Sequence, residues 1–221
     1  MIDAHRRQLL VGIGVSTLNS LLLAESAISP DPSTIYKVLP KDFRVEGIPI
    51  EPPLVDNIKE AKLLLKMKSM RTSLRIQEIV SQNINPIPLF WECAGIAEND
   101  YPEFTSHFYN VISDVEIVVL ALKRKFNRPR PSAVLPALDP VVPVPWHTSY
   151  PSGHATQSTV IAGLLSQLKP SSSESLTNLA LRVGVNREVA GLHYPSDTMA
   201  GIALGRWLSN EFSHLVLYRK Q

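Results

Sequence analysis

The chain has 221 residues, 44% of them hydrophobic and 19% charged, with a formal net charge of +2. That length buries one sizeable core without calling for a second domain. The composition excludes a disordered or fibrous chain, and the small charge excess gives no ground for a nucleic-acid partner. A single cysteine, Cys93, excludes an internal disulfide and has no partners for a zinc site; it reads as a small buried hydrophobe.

The N-terminus places His5-Arg6-Arg7 ahead of an uncharged stretch, Gln8 to Ala24, followed by Ser26 and Ala27. A basic start, a short apolar run and a small-residue end is the layout of an export signal, and Arg6-Arg7 resembles a twin-arginine signal. The expectation is a signal-like segment over 1–27 and a periplasmic or secreted protein. Thr17, Asn19 and Ser20 dilute the apolar run, so the alternative is an amphipathic first helix of a cytoplasmic protein. No other uncharged run reaches the ~20 residues of a membrane span, so no transmembrane domain is expected beyond that segment.

Prolines 30, 32, 40, 49, 52 and 53 predict an extended lead-in over 28–54, leaving 55–221 as a helical domain. From Val55 to Ser81 apolar residues recur at helical spacing, which predicts one long amphipathic helix whose Lys59, Lys62, Lys66, Lys68, Arg71 and Arg75 form a solvated basic face. A short helix is expected over Leu89–Ala97. Val111, Ile112, Val115, Val118, Val119 and Leu122 predict a buried helix over Glu103–Phe126 that ends near Lys123. Repeated prolines from 129 to 151 predict a long irregular loop over the site. Helices follow over Gly153–Leu168, over Glu174–Leu192 after a Ser171-Ser172-Ser173-Glu174 capping signal, and from Pro195 to about Tyr218. With no alternating strand pattern, the fold class is all-α, a single-domain helical bundle.

Three clusters carry the chemistry: Lys123-x6-Arg130-Pro131, Pro151-Ser152-Gly153-His154, and Arg187-x5-His193-x3-Asp197. Two cations and a third arginine suit a phosphate, whose burial is costly unless cations and donors replace its water. Ser152 caps the next helix or donates to the anion, and Gly153 lets the amides of a helix N-terminus approach it. Pro195 separates His193 from Asp197, so a carboxylate on Nδ1–H would leave Nε2 as the attacking lone pair. The set points to phosphoryl transfer through a phosphohistidine without a metal. Arg124, Lys125 and Arg128 belong to no cluster and read as surface charge. His147 reads as a solvent-facing loop residue, with lining of the entrance as its alternative. His107 and His214 read as ordinary helix residues.

These blocks resemble the superfamily of type 2 phosphatidic acid phosphatases, bacterial class A acid phosphatases and vanadium haloperoxidases, whose pattern is K-x6-RP, PSGH and SR-x5-H-x3-D. The resemblance spans 123–197, with Asn186 standing where the family has serine. It implies the family's helical bundle. It also implies that His193 attacks phosphorus and that His154 protonates the leaving oxygen and then activates water. Lys123, Arg130, Ser152, the Gly153 amide and Arg187 would hold the phosphate oxygens. The expected activity is a metal-independent, acid-phosphatase-like phosphatase with a phosphorylated small molecule or lipid as substrate and no cofactor. One rival is a vanadium-dependent haloperoxidase holding vanadate in the same pocket; another is a non-catalytic phosphate or phospholipid binder. The oligomeric state, and so a homo-oligomer, is left open.

Overall fold

A computed structural model describes residues 36–53 and 56–217, with the backbone alone for Ile84 and 214–217. The signal-like segment 1–27 lies outside the described residues, and the lead-in is described over 36–53. Among the described residues the elements are α1 (Asn57–Met67), α2 (Ser73–Ile84), α3 (Ile87–Ala94), α4 (Pro102–Phe126), the single turn α5 (Pro131–Val134), α6 (Gly153–Leu168), α7 (Ser173–Val189) and α8 (Pro195–Leu217), with short 3-10 turns between them and no strand. The chain is all-α in these residues, as its periodicity predicts.

The core lies where α3, α4, α6, α7 and α8 bring their apolar faces together. Val111, Val115, Val118 and Leu122 of α4 meet Val160, Ile161 and Leu164 of α6, Val183 of α7, and Leu204, Leu208 and Phe212 of α8. Cys93 is partly buried against this cluster. Helix α6 packs most extensively on α8 and α7. Gly201 and Gly205 make the α6–α8 approach close: a Cβ at 201 would lie 2.6 Å from the Ser152 carbonyl oxygen, and one at 205 would lie 2.7 Å from that of Thr156. The two backbones therefore touch, which sets the start of α6 beside the start of α8.

Three boundaries differ from the periodicity reading. The predicted long helix over 55–81 is two helices, broken at Arg71 and Thr72. The Thr72 side chain caps α2 by accepting from the Arg75 amide, and the Arg71 guanidinium donates to the carbonyls of Val189, Leu138 and Asp139. Arg71 is thus a clamp on the far loop rather than part of a solvated face. Ser172 stands at the N-cap of α7 but makes no capping bond; its hydroxyl donates to Ala94. The proline-rich 129–151 stretch, expected to be irregular, holds α5 and a 3-10 turn at Pro136–Leu138, because proline is tolerated in a first helical turn. The lead-in is anchored by the buried Asp114 of α4, whose carboxylate accepts from the amides of Lys37, Val38 and Leu39. No described helix is long and apolar enough to cross a membrane.

Candidate active site

Five of the sequence-predicted residues meet the same small hollow. Lys123 from α4, Arg130 from the loop after it, Gly153 and His154 at the start of α6, and His193 between α7 and α8 line a cavity of about 160 Å³, together with His147 and Gln157. That is well below the ~300 Å³ of the smallest drug-sized pockets; it suits a phosphoryl group rather than a whole ester.

Local structure explains how each arrives. Asn127, in the left-handed region, stops α4 one turn after Lys123. The Lys123 ammonium then donates to the Thr148 and Ser149 carbonyls, both at 2.9 Å, while the Thr148 hydroxyl donates back to the Lys123 carbonyl. An ammonium has three donors, so one remains for the cavity. Helix α7 ends in a Schellman turn, with Gly191 at φ +80° donating to Glu188 and Leu192 donating to Arg187. The chain reverses there and delivers His193 to the cavity. Ser152 caps α6 by accepting from the Ala155 amide, and its own amide donates to the Asp197 carbonyl. A Cβ at Gly153 would meet only Val119 Cγ1, at 3.5 Å. Packing does not demand a glycine at that position.

The tautomer of His193 follows from its neighbours. Nη1 of Arg130 lies 3.0 Å from Nε2, and a guanidinium can only donate, so Nε2 carries the lone pair and Nδ1 the proton. That proton faces Oδ2 of Asp197 at 3.1 Å. Asp197 is met by donors alone: His193 Nδ1–H, the Tyr194 amide and Arg128 Nη1 at 2.6 Å. Burial lifts its carboxyl above the usual range and the Arg128 charge opposes this.

Arg128, read from sequence as surface charge, is 3% exposed. Its guanidinium joins Asp197 to Glu60 of α1, Nη2 lying 2.6 Å from Glu60 Oε2, and it also bonds Ser196 and Asn57 and lies over the Tyr194 ring. Glu60 in turn accepts from the Ser196 amide and hydroxyl at the α8 N-terminus. No local pattern announced these partners, which lie 68 and 69 residues away from Arg128. Arg124 and Lys125 are exposed, as expected.

His147 also departs from its expected place. It is partly buried and lines the cavity, its Nδ1 lying 2.9 Å from Arg130 Nη2 and its carbonyl accepting from Arg130 Nε. Arg187 and Ser152, by contrast, do not line the cavity. The Arg187 guanidinium donates to Asn83 and to the Ile79 carbonyl of α2, leaving Nε without a partner. Asn186, at the family's serine position, donates to Gln82 of the same helix. Helix α2 therefore backs the site.

Burial and clustered cations suppress further positive charge here. His154 is pushed down to about 3, by burial first and then by Arg187, Lys123 and Arg130, against the pull of the Gln82 carbonyl. Burial and then Lys123 push His147 down to about 4. His193 lies well below its ordinary value through burial, then Arg130 and Lys123, and the Lys123 ammonium is likewise depressed. An oxyanion would relieve all four at once.

The family model described as the PAP2 superfamily matches residues 105–221, more than half the chain. This chain belongs to the PAP2 superfamily. It is 38% identical to a lipid A 1-phosphatase of Rhizobium johnstonii over 61 residues, which are 28% of this chain and 25% of that protein. It is 40% identical to a non-specific acid phosphatase of Salmonella typhi over 57 residues, 26% of this chain and 23% of that protein. The chain thus spans about a quarter of the length of these relatives. The crystal structure of a bacterial vanadium-dependent iodoperoxidase aligns with a TM-score of 0.62 at 19% identity, covering 76% of this chain and 52% of that one; this is a likeness of fold. The PAP2 match begins within α4, so α1 and α2, which supply Glu60, Asn57, Gln82 and Asn83, lie outside it.

Proposed function

We propose that this chain is a metal-independent phosphatase that hydrolyses phosphate esters through a phosphohistidine on His193. The observation that carries the reading is a neutral His193 whose Nδ1–H faces Asp197 and whose Nε2 lone pair opens on a cavity lined by Lys123 and Arg130. Phosphatases among the PAP2 relatives, one of them an acid phosphatase, support the reaction class.

An Arg130 N–H occupies the Nε2 lone pair. Substrate takes that place: Arg130 turns its N–H groups to the phosphoryl oxygens, together with the spare Lys123 proton and the Gly153 amide, while Ser152 holds the α6 N-terminus as its cap and Nε2 faces phosphorus. Arg187 backs His154 with its charge. Attack forms the N–P bond as the P–O bond to the alcohol breaks. The proton that the substrate monoanion brings passes through His154 to the departing oxygen, and Asp197 stabilises the imidazolium that develops at His193. Water then attacks phosphorus, His154 takes its proton, and the N–P bond breaks to release phosphate. No step calls for a cofactor. Among the described residues no group of three or more histidines, cysteines or carboxylates is placed to hold a metal ion. Vanadate enters as an inhibitor that adopts the five-coordinate geometry of the transferring phosphoryl group.

The test is a label trapped on histidine. Enzyme mixed with ³²P-labelled substrate and quenched in base retains label, His193→Ala retains none, and a chelator leaves turnover unchanged. Label surviving His193→Ala, or activity lost to the chelator, overturns the mechanism.

A further inference from the structure

The cavity that fits a phosphoryl group opens beside a second hollow of about 350 Å³, and the two share Arg130, Pro145 and His147. The second hollow adds Ala133, Val144 and Trp146, with Ser132 and with Thr148, whose hydroxyl is taken by the Lys123 carbonyl. Trp146 is 84% exposed and Val144 42%, so neither contributes much to the core. The Trp146 ring meets the edge of His147, centroids 5.6 Å apart at 76°. His147 is itself held by two hydrogen bonds from Arg130. The indole therefore stands on a residue anchored in the phosphate cavity. An apolar, low-entropy ring at the mouth of a polar cavity is the composition of a ligand subsite.

We infer that this hollow receives the alcohol portion of the phosphoester, and that the enzyme prefers esters whose alcohol is apolar. The inference rests on the phosphatase reading above and adds the substrate class. A polar alcohol gains nothing over Val144, Pro145 and Trp146, whereas an alkyl or aryl group leaves water against them.

Hexyl phosphate and methyl phosphate test it, because their leaving alcohols have similar acidity and differ only in apolar length. The wild-type chain favours hexyl over methyl phosphate in kcat/KM by about tenfold or more, the low end for an apolar pocket since the hollow is open. Trp146→Ala and Val144→Asp both lower that ratio severalfold, and neither residue is needed for the core. Phosphatidic acid in vesicles is run beside them: a Trp146→Ala loss confined to hexyl phosphate assigns the subsite to soluble esters, and one extending to vesicles assigns it to lipids. Hydrolysis of both short esters with a ratio near one, or a ratio that neither substitution moves, overturns the subsite and leaves the phosphatase reading standing. No hydrolysis of any ester overturns both.

Discussion

Nη1 of Arg130 sits 3.0 Å from Nε2 of His193, so the cation that would hold the phosphate also covers the lone pair that would attack it. The same guanidinium donates to the Leu192 and His147 carbonyls and to His147 Nδ1. Arg130 therefore fixes both flanks of the pocket before any anion arrives. Lysine has no planar fork with which to span these groups. Arg130→Lys is expected to fold but to lose about 10²–10³ in kcat, the scale of removing one oxyanion donor. Steady-state kinetics decides; activity within threefold of wild type would show that Arg130 is structural only.

The charge pattern sets the pH dependence. With His154 at about 3 and His147 at about 4 in the free pocket, the proton for the leaving group enters with the substrate monoanion. A phosphate monoester loses that proton near pH ~6. The expected kcat/KM profile is flat between about 4 and 6 and falls tenfold per pH unit above. A profile still rising at pH 9 would overturn the proton inventory. His154→Ala should cost about 10²–10⁴ with methyl phosphate and far less with p-nitrophenyl phosphate, whose leaving group needs no acid.

Stability follows the same groups. The folded values of His147, His154 and His193 all lie below the ordinary histidine value of 6.5. The unfolded chain therefore binds more protons below that pH, and stability present above 6.5 is lost as pH falls toward 4. Glu188, raised to about 7 by burial, works the other way, its contribution fading as pH climbs from 4.5 to 7. Asp197, also raised by burial, acts in the same direction as Glu188; three histidines outweigh these two carboxyls, so Tm should drop between pH 7 and 5. Because a bound anion relieves the histidines, phosphate should raise Tm more at pH 5.5 than at 8. A Tm that is level across this range, with or without phosphate, would contradict the buried neutral histidines.

Arg128 closes a buried line of charge from Glu60 to Asp197. Arg128→Gln leaves two carboxylates without their cation, a loss of about 3–5 kcal/mol, or roughly 10 °C in Tm for a chain of this size. It also removes the charge opposing protonation of Asp197. Residual activity should then show an acid limb displaced to higher pH, which a purely structural lesion would not produce.

How far these features could be read in advance depended on their range along the chain. The His193–Asp197 pair and the Ser152-Gly153-His154 helix start are encoded within a few residues, and the helical periods of α4 and α6 gave their bounds closely. Arg128 looked like surface charge because Glu60 and Asp197 approach it only in the fold. Arg71 reads as one more exposed cation in the sequence because its carbonyl partners lie at 138, 139 and 189. Asn186 made sense only once Gln82 stood opposite it. His147 followed the same rule, its place set by Arg130 across the proline-rich loop.

Two glycines separate catalytic from packing demands. At Gly201 a Cβ would lie 2.6 Å from the Ser152 carbonyl oxygen and 3.0 Å from Ala155 Cβ, so Gly201→Ala forces α8 away from α6. The expected cost is about 1–3 kcal/mol, as for other overpacked sites. At Gly153 the nearest atom would be Val119 Cγ1, at an ordinary 3.5 Å. Gly153→Ala should therefore keep its stability within about 0.5 kcal/mol, yet its methyl group sits at the helix tip where an oxyanion would meet the amide. The expected outcome is an unchanged melting curve with kcat/KM down by about tenfold or more. Wild-type turnover in Gly153→Ala would remove the α6 amide from the phosphate site, and a collapsed Tm would make the glycine a packing requirement after all.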